Sequence, residues 1–165
     1  MDKQITTLFW GMLKPFFVLI VLFASVVWSL ACEAGVLWDA VFNNNTEKAR
    51  TLISMGLDVN ERNYYKYSVL HTAVSHGNVE LTRLLVEKGA DVNAKAQFDI
   101  TPLHFARNKE FAEILIAHGA NVHAQTDKGE TPLHWAAQAG YSDMTDSLLA
   151  HGANVNAKSN STETP

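Results

Sequence analysis

Gly119-Ala120-Asn121-Val122-His123 and Gly152-Ala153-Asn154-Val155-Asn156 enclose a stretch with Thr131-Pro132-Leu133-His134 inside it, and this stretch decides the fold because it recurs. Reading back toward the N-terminus, the glycine motif returns as Gly89-Ala90-Asp91-Val92-Asn93 and Gly56-Leu57-Asp58-Val59-Asn60, so the glycine spacings are 33, 30 and 33. The inner motif returns as Thr101-Pro102-Leu103-His104 and Ser68-Val69-Leu70-His71, in step with the first. Two landmarks that keep the same phase mark a repeat array of about 30 residues per unit. Each inner motif starts a helix. Thr101 and Thr131 can accept an orphan backbone N–H, and Pro102 and Pro132 at the first helical position forgo no hydrogen bond. A second apolar face follows in each unit, Leu81, Leu84, Leu85 and Val86 in one and Phe111, Ile114, Leu115 and Ile116 in the next. The glycines stand where this second helix stops, a position whose left-handed backbone penalises a β-carbon.

These residues resemble the ankyrin repeat, a β-turn followed by two helices with Thr-Pro-Leu-His opening the first. The resemblance covers about residues 36–158 and implies an all-α chain with β-turn fingers, a helix-turn-helix solenoid. It divides the chain into an N-terminal capping repeat (36–62), repeats at 63–95, 96–125 and 126–158, and a start of a further repeat or tail at 159–165. It also implies that His71, His104 and His134 bond backbone groups and tie neighbouring units together. Functionally it implies a protein-binding scaffold without a cofactor.

The departures from the pattern carry their own expectations. The third unit is three residues short, with Arg107-Asn108-Lys109 where its neighbour has Gln138 to Asp143, so a tighter inter-helix turn is expected with Asn108 left-handed. Lys48 and Thr51 stand in the first unit where later ones have core aliphatics, as a capping unit with a polar outer face requires. Ser147 replaces an aliphatic residue and weakens the last unit. In the turns Gly129 suits a left-handed position and Asp99 tolerates it, but Lys66 does not, so the first tip is expected to differ. Thr164-Pro165 falls in register with Thr131-Pro132. Either the array is longer than this sequence or the last unit caps itself, leaving its apolar face (Leu133, Ala137, Leu148, Leu149) partly open.

The N-terminal part reads differently. Phe16 to Val27 is apolar apart from Ser25, no residue between Pro15 and Cys32 is charged, and Lys3 and Lys14 lie upstream. This is the pattern of a secretory signal peptide over residues 1–31, with a short signal anchor as the alternative. Ser29-Leu30-Ala31 and Cys32-Glu33-Ala34 both suit a leader peptidase. Ser29-Leu30-Ala31-Cys32 also resembles a bacterial lipobox, although its large aliphatic is one position late, so Cys32 is a candidate for lipidation. Residues 16–32 or an acylated Cys32 would then tether the chain to a membrane.

Composition narrows the chemistry. Seventeen acidic side chains outnumber 13 basic ones, which argues against wholesale phosphate or nucleic-acid binding. The single Cys excludes an internal disulfide and a multi-Cys metal framework. Seven histidines invite a zinc hypothesis, but repeat position accounts for all except His123, and no His-Glu-x-x-His spacing supports it. No nucleophile elbow or phosphate-cradling loop is present, so no enzyme is expected. The sequons Asn44-Asn45-Thr46 and Asn160-Ser161-Thr162 are weak patterns.

What remains is a recognition face. Tyr64, Tyr65 and Tyr67 align with Gln97, Phe98 and Ile100, then with Asp127, Lys128 and Glu130, and the motif histidines are followed by Thr72, Phe105 and Trp135. The candidate partner-binding residues are therefore Tyr64, Tyr65, Tyr67, Phe98, Ile100, Phe105, Lys128 and Trp135, exposed aromatics being common interface hot spots. The leading expectation is an exported or envelope-associated module that binds a protein partner through these tips and the adjoining groove. The alternative is a stabilising or inhibitory partner of an envelope enzyme, acting through the exposed last repeat near Leu148 and Leu149.

Overall fold

The computed structural model describes residues 35–161 and 164–165. The signal or anchor segment and Cys32 therefore lie outside the described residues. Among these residues seven α-helices form, and no helix is long and apolar enough to cross a membrane. They come in pairs: α1 (Val36–Phe42) with α2 (Thr46–Ser54), α3 (Val69–Ser75) with α4 (Val79–Glu87), a 3-10 turn (Pro102–Phe105) with α5 (Lys109–Ala117), and α6 (Pro132–Ala139) with α7 (Ser142–Ala150).

The helix starts are set by side-chain oxygens. Ser68 caps α3, accepting from the His71 N–H. The second helices have a cap that the sequence reading overlooked: Asn45, Asn78 and Asn108 accept from Lys48 N (3.0 Å), Leu81 N (2.8 Å) and Phe111 N (3.2 Å). Asn108 is thus an extended N-cap residue (φ −149°) and is not left-handed, contrary to expectation. The three missing residues are absorbed instead by the first helix of that unit, which is reduced to the single 3-10 turn before the chain extends through Ala106.

The helix ends behave as their glycines require. At the end of α5, Gly119 (φ 89°) donates to Ile116 O and Ala120 to Leu115 O, the paired bonds of a Schellman motif. The same two bonds recur after α2, α4 and α7.

Stacking the pairs produces one continuous core with two leucine columns in repeat register. Leu37, Leu70, Leu103 and Leu133 form the first, and Leu52, Leu85, Leu115 and Leu148 the second, all of them buried. Between them lie Leu81, Phe111 and Met144, while Lys48 in the same register of the first pair is exposed, as is Thr51. The expected polar outer face is therefore present. The last pair is more closed than expected: of the four residues named for its apolar face Leu133 and Leu148 are fully covered, while Ala137 and Leu149 remain open, as does Val155. Ser147 is buried with its hydroxyl unpartnered.

Replacing Leu115 by Ala should lower the unfolding free energy by about 2–5 kcal/mol, the usual cost of emptying a close-packed leucine site. Urea denaturation followed by circular dichroism measures it, and a loss under about 1 kcal/mol would mean that the column is not a tightly packed core.

Candidate functional site

Successive turn tips close with the same pair of bonds and are stitched together through their backbones. In each tip a N–H···O pair closes the loop: Asn63 N to Tyr67 O with Lys66 N to Asn63 O (2.9 Å each), Ala96 N to Ile100 O (2.8 Å) with Asp99 N to Ala96 O (3.2 Å), and Thr126 N to Glu130 O with Gly129 N to Thr126 O (2.9 Å each). Lys66 adopts the left-handed conformation (φ 62°) just as Asp99 (58°) and Gly129 (74°) do, which corrects the expectation that the first tip would differ. The reason lies between the tips. Gln97 donates its N–H to Tyr65 O, Asp127 to Phe98 O and Asn160 to Lys128 O, at 2.8–3.0 Å, so each tip must present its carbonyl in one fixed direction. That ladder outweighs the roughly 1–2 kcal/mol a non-glycine residue loses in the left-handed region. Gly129 has an additional reason, since a β-carbon there would lie 2.9 Å from Asn160 Oδ1.

The motif histidines lock this frame. The His71 Nδ1 accepts from the Ser68 N–H (3.1 Å) and lies 2.8 Å from Ser68 Oγ, which leaves the proton on Nε2 to be donated to Ile100 O in the next tip (3.0 Å). His104 repeats the pattern with Thr101 and with Glu130 O (3.2 Å). His134 takes the Thr131 N–H and hydroxyl in the same way. Burial pushes the His71 and His104 imidazoles down to about 4, and the backbone carbonyl that each bonds offsets this only in part. Protonation would also put a second hydrogen on Nδ1 against the Ser68 or Thr101 N–H. His71 and His104 thus take the role that the resemblance implies, bridging neighbouring units through backbone groups.

On this frame the candidate contact residues divide into three groups. Tyr64 (93% exposed), Tyr65 and Phe98 (55%) project from adjacent tips, and the two tyrosine rings meet edge to face at 5.3 Å. A cleft of about 660 Å³ lies among Tyr64, Tyr65, Lys66, Phe98, Asp99 and Asp127. Phe98 is itself left-handed (φ 64°), an uncommon state for a bulky side chain, and points its ring outward instead of folding over its hairpin.

The second group is a half-buried aromatic run beside the tips. Tyr67 and Phe105 have centroids 5.9 Å apart and Phe105 and Trp135 5.8 Å, with His71 and His104 against their edges. The Trp135 indole N–H is committed to Glu130 Oε2 at 3.1 Å. These rings both support the stack and expose one side. In the third group stand Lys128, exposed at the third tip, and Ile100, which is only 7% exposed. Ile100 packs inward while its carbonyl receives His71, so it leaves the set of surface contacts. Lys66, Asp99 and Asp127 line the cleft and were missed by the sequence reading, which weighted aromatic tips and passed over the charged residues alternating with them. Among the described residues no group of three or more His, Cys, Asp or Glu is placed to hold a metal ion.

Comparison with known families agrees with this geometry. The family described as "Ankyrin repeats (3 copies)" matches residues 94–159, and that described as "Ankyrin repeats (many copies)" matches 37–86 and 70–110. The chain belongs to the ankyrin repeat family, an all-α helix-turn-helix solenoid that serves as a protein–protein interaction module. No curated protein matches it.

The two buried imidazoles set a pH dependence. Their folded pKa of about 4 lies below the ordinary 6.5, so the unfolded chain binds more protons between those values. Their contribution is whole above pH 6.5, falls as the pH drops toward 4 and then levels off, on the order of 3 kcal/mol for each. Urea midpoints measured across this range should show the fall, and the fall should be diminished in His71→Gln/His104→Gln, which is also less stable at pH 7.

Proposed function

We propose that this protein is an exported or envelope-associated, non-catalytic interaction module that grips a protein partner with its first two turn tips and the aromatic run beside them. The observation that carries the reading is the exposure of Tyr64, Tyr65 and Phe98 around one cleft, on tips whose backbones are already fixed by the inter-tip ladder. Rigid aromatic anchors lose little conformational entropy on binding, so such a surface is preorganised. Lys66, Asp99 and Asp127 give the rim both signs of charge and therefore orientation.

Export is supported by the apolar run Phe16 to Val27 with Lys3 and Lys14 before it, and tethering by Cys32 at the end of that run. A second reading has an observation of its own. Leu149 (41% exposed) and Val155 (54%) leave an apolar patch on the last pair that an enzyme partner could cover, although Leu148 is buried and contributes nothing to it.

A photo-crosslinking residue placed at Tyr64 or Phe98 of the full chain in its host should yield a discrete protein adduct, while one at Glu87 should not. With the partner so identified, Tyr64→Ala/Phe98→Ala should weaken binding by roughly 30-fold or more, the loss of about 2 kcal/mol typical of a hot spot. If Leu149→Asp abolishes binding and the double variant does not, the second reading holds. Intact mass from soluble and membrane fractions tests export separately: cleavage after Ala31 or Ala34, or an acylated Cys32, is expected, and an uncleaved chain would overturn the signal-peptide reading.

A further inference from the structure

The three junctions between successive helix pairs are not equivalent. Across the first, Asn60 donates to the Gly89 carbonyl (3.4 Å) and accepts the Asp91 N–H (2.8 Å). Across the second, Asn93 does the same with Gly119 (2.9 Å) and Asn121 (2.8 Å). At the third junction His123 holds this register, and among the described residues it makes no such bridge to Gly152 or Asn154. An imidazole has one N–H and one lone pair on opposite sides of a ring, so it cannot replace the amide that donates and accepts side by side.

The charges follow the same division. Arg50 pairs with Glu80 across the first junction and Arg83 with Glu110 (3.6 Å) across the second. In the third the corresponding residues are Glu113 and Asp143, two carboxylates. Glu113 turns instead to Lys109 on its own helix (3.4 Å). The packing position that carries Leu84 and Ile114 becomes Ser147, whose buried hydroxyl has no partner, and α7 begins at Tyr141 without the side-chain cap that Asn45, Asn78 and Asn108 supply to the other second helices.

We infer that the fourth helix pair (α6 and α7) is built to undock from the third as a unit. In a linear array, stability is a sum of unit and junction terms, so the weakest junction is where the stack opens. Four features weaken the third. Trp135 leaves with the fourth pair, and the aromatic run then ends at Phe105. A partner lying across both rings therefore selects the docked state; this last step rests on the proposed function, whereas the undocking does not.

Amide hydrogen exchange of the full chain without any partner tests the inference. Amides of α6 and α7 should exchange together and at least about tenfold faster than those of α2, which among the described residues likewise has a neighbouring pair on one side only. Glu113→Arg/His123→Asn/Ser147→Leu, which installs at the third junction the residue types of the other two, should slow exchange of α6 and α7 by about tenfold or more and leave α4 unchanged. Glu113→Arg alone, an exposed change that spares the core, should slow it in part. Equal protection in α2 and α7, or a repaired chain whose α7 exchanges as before, would overturn the inference.

Discussion

A pair of helices seven to nine residues long has an apolar face on each side and too little mass to cover either. Everything else in this molecule follows from that shortage. Each pair must lend its face to the next, which is why Leu37, Leu70, Leu103 and Leu133 stand in one column and Leu52, Leu85, Leu115 and Leu148 in another. Hydrophobic burial is non-directional and would tolerate sliding between pairs. Directional bonds remove that freedom: His71 and His104 reach from a buried helix start to the carbonyl of the following tip, and the tips bond one another through Tyr65, Phe98 and Lys128.

The binding surface is a by-product of this locking. Because the tip backbones are held by their neighbours, their outward positions are free to carry Tyr64, Tyr65 and Phe98. The strained backbone of Phe98 shows how far the ladder dictates conformation, since its carbonyl still meets the Asp127 N–H at 3.0 Å. The neighbouring run of Tyr67, Phe105 and Trp135 is different in kind. Those rings serve the junctions and the surface together, so changes there alter stability and recognition at once.

Much of this was legible in the residues. The periodic Thr-Pro-Leu-His and glycine motifs placed the helix starts and stops, because capping and left-handed backbone are local properties that a few neighbouring atoms decide. The polar outer face of the first pair was legible too, as Lys48 and Thr51 break a register that Leu81 and Leu84 keep. The periodic Asn45, Asn78 and Asn108 carried a capping signal that was present and overlooked. Other points were not accessible locally. Lys66 is a poor left-handed residue considered alone, and Asn108 a good one, yet the structure reverses both.

Those reversals divide what the two levels decide. The sequence by itself determined the number of helix pairs, their starts at the Thr-Pro-Leu-His motifs and stops at glycines, and which face of the second helices turns inward, since each depends on period and short-range sterics. Only the tertiary structure decided which way a tip turns, that Ile100 faces inward while Phe98 faces solvent, and that a three-residue deletion shortens a helix instead of tightening a loop. Each of these is settled by hydrogen bonds and packing to a neighbouring unit about 30 residues away, where no local propensity of a kcal/mol or so can compete with an ordered array of such contacts.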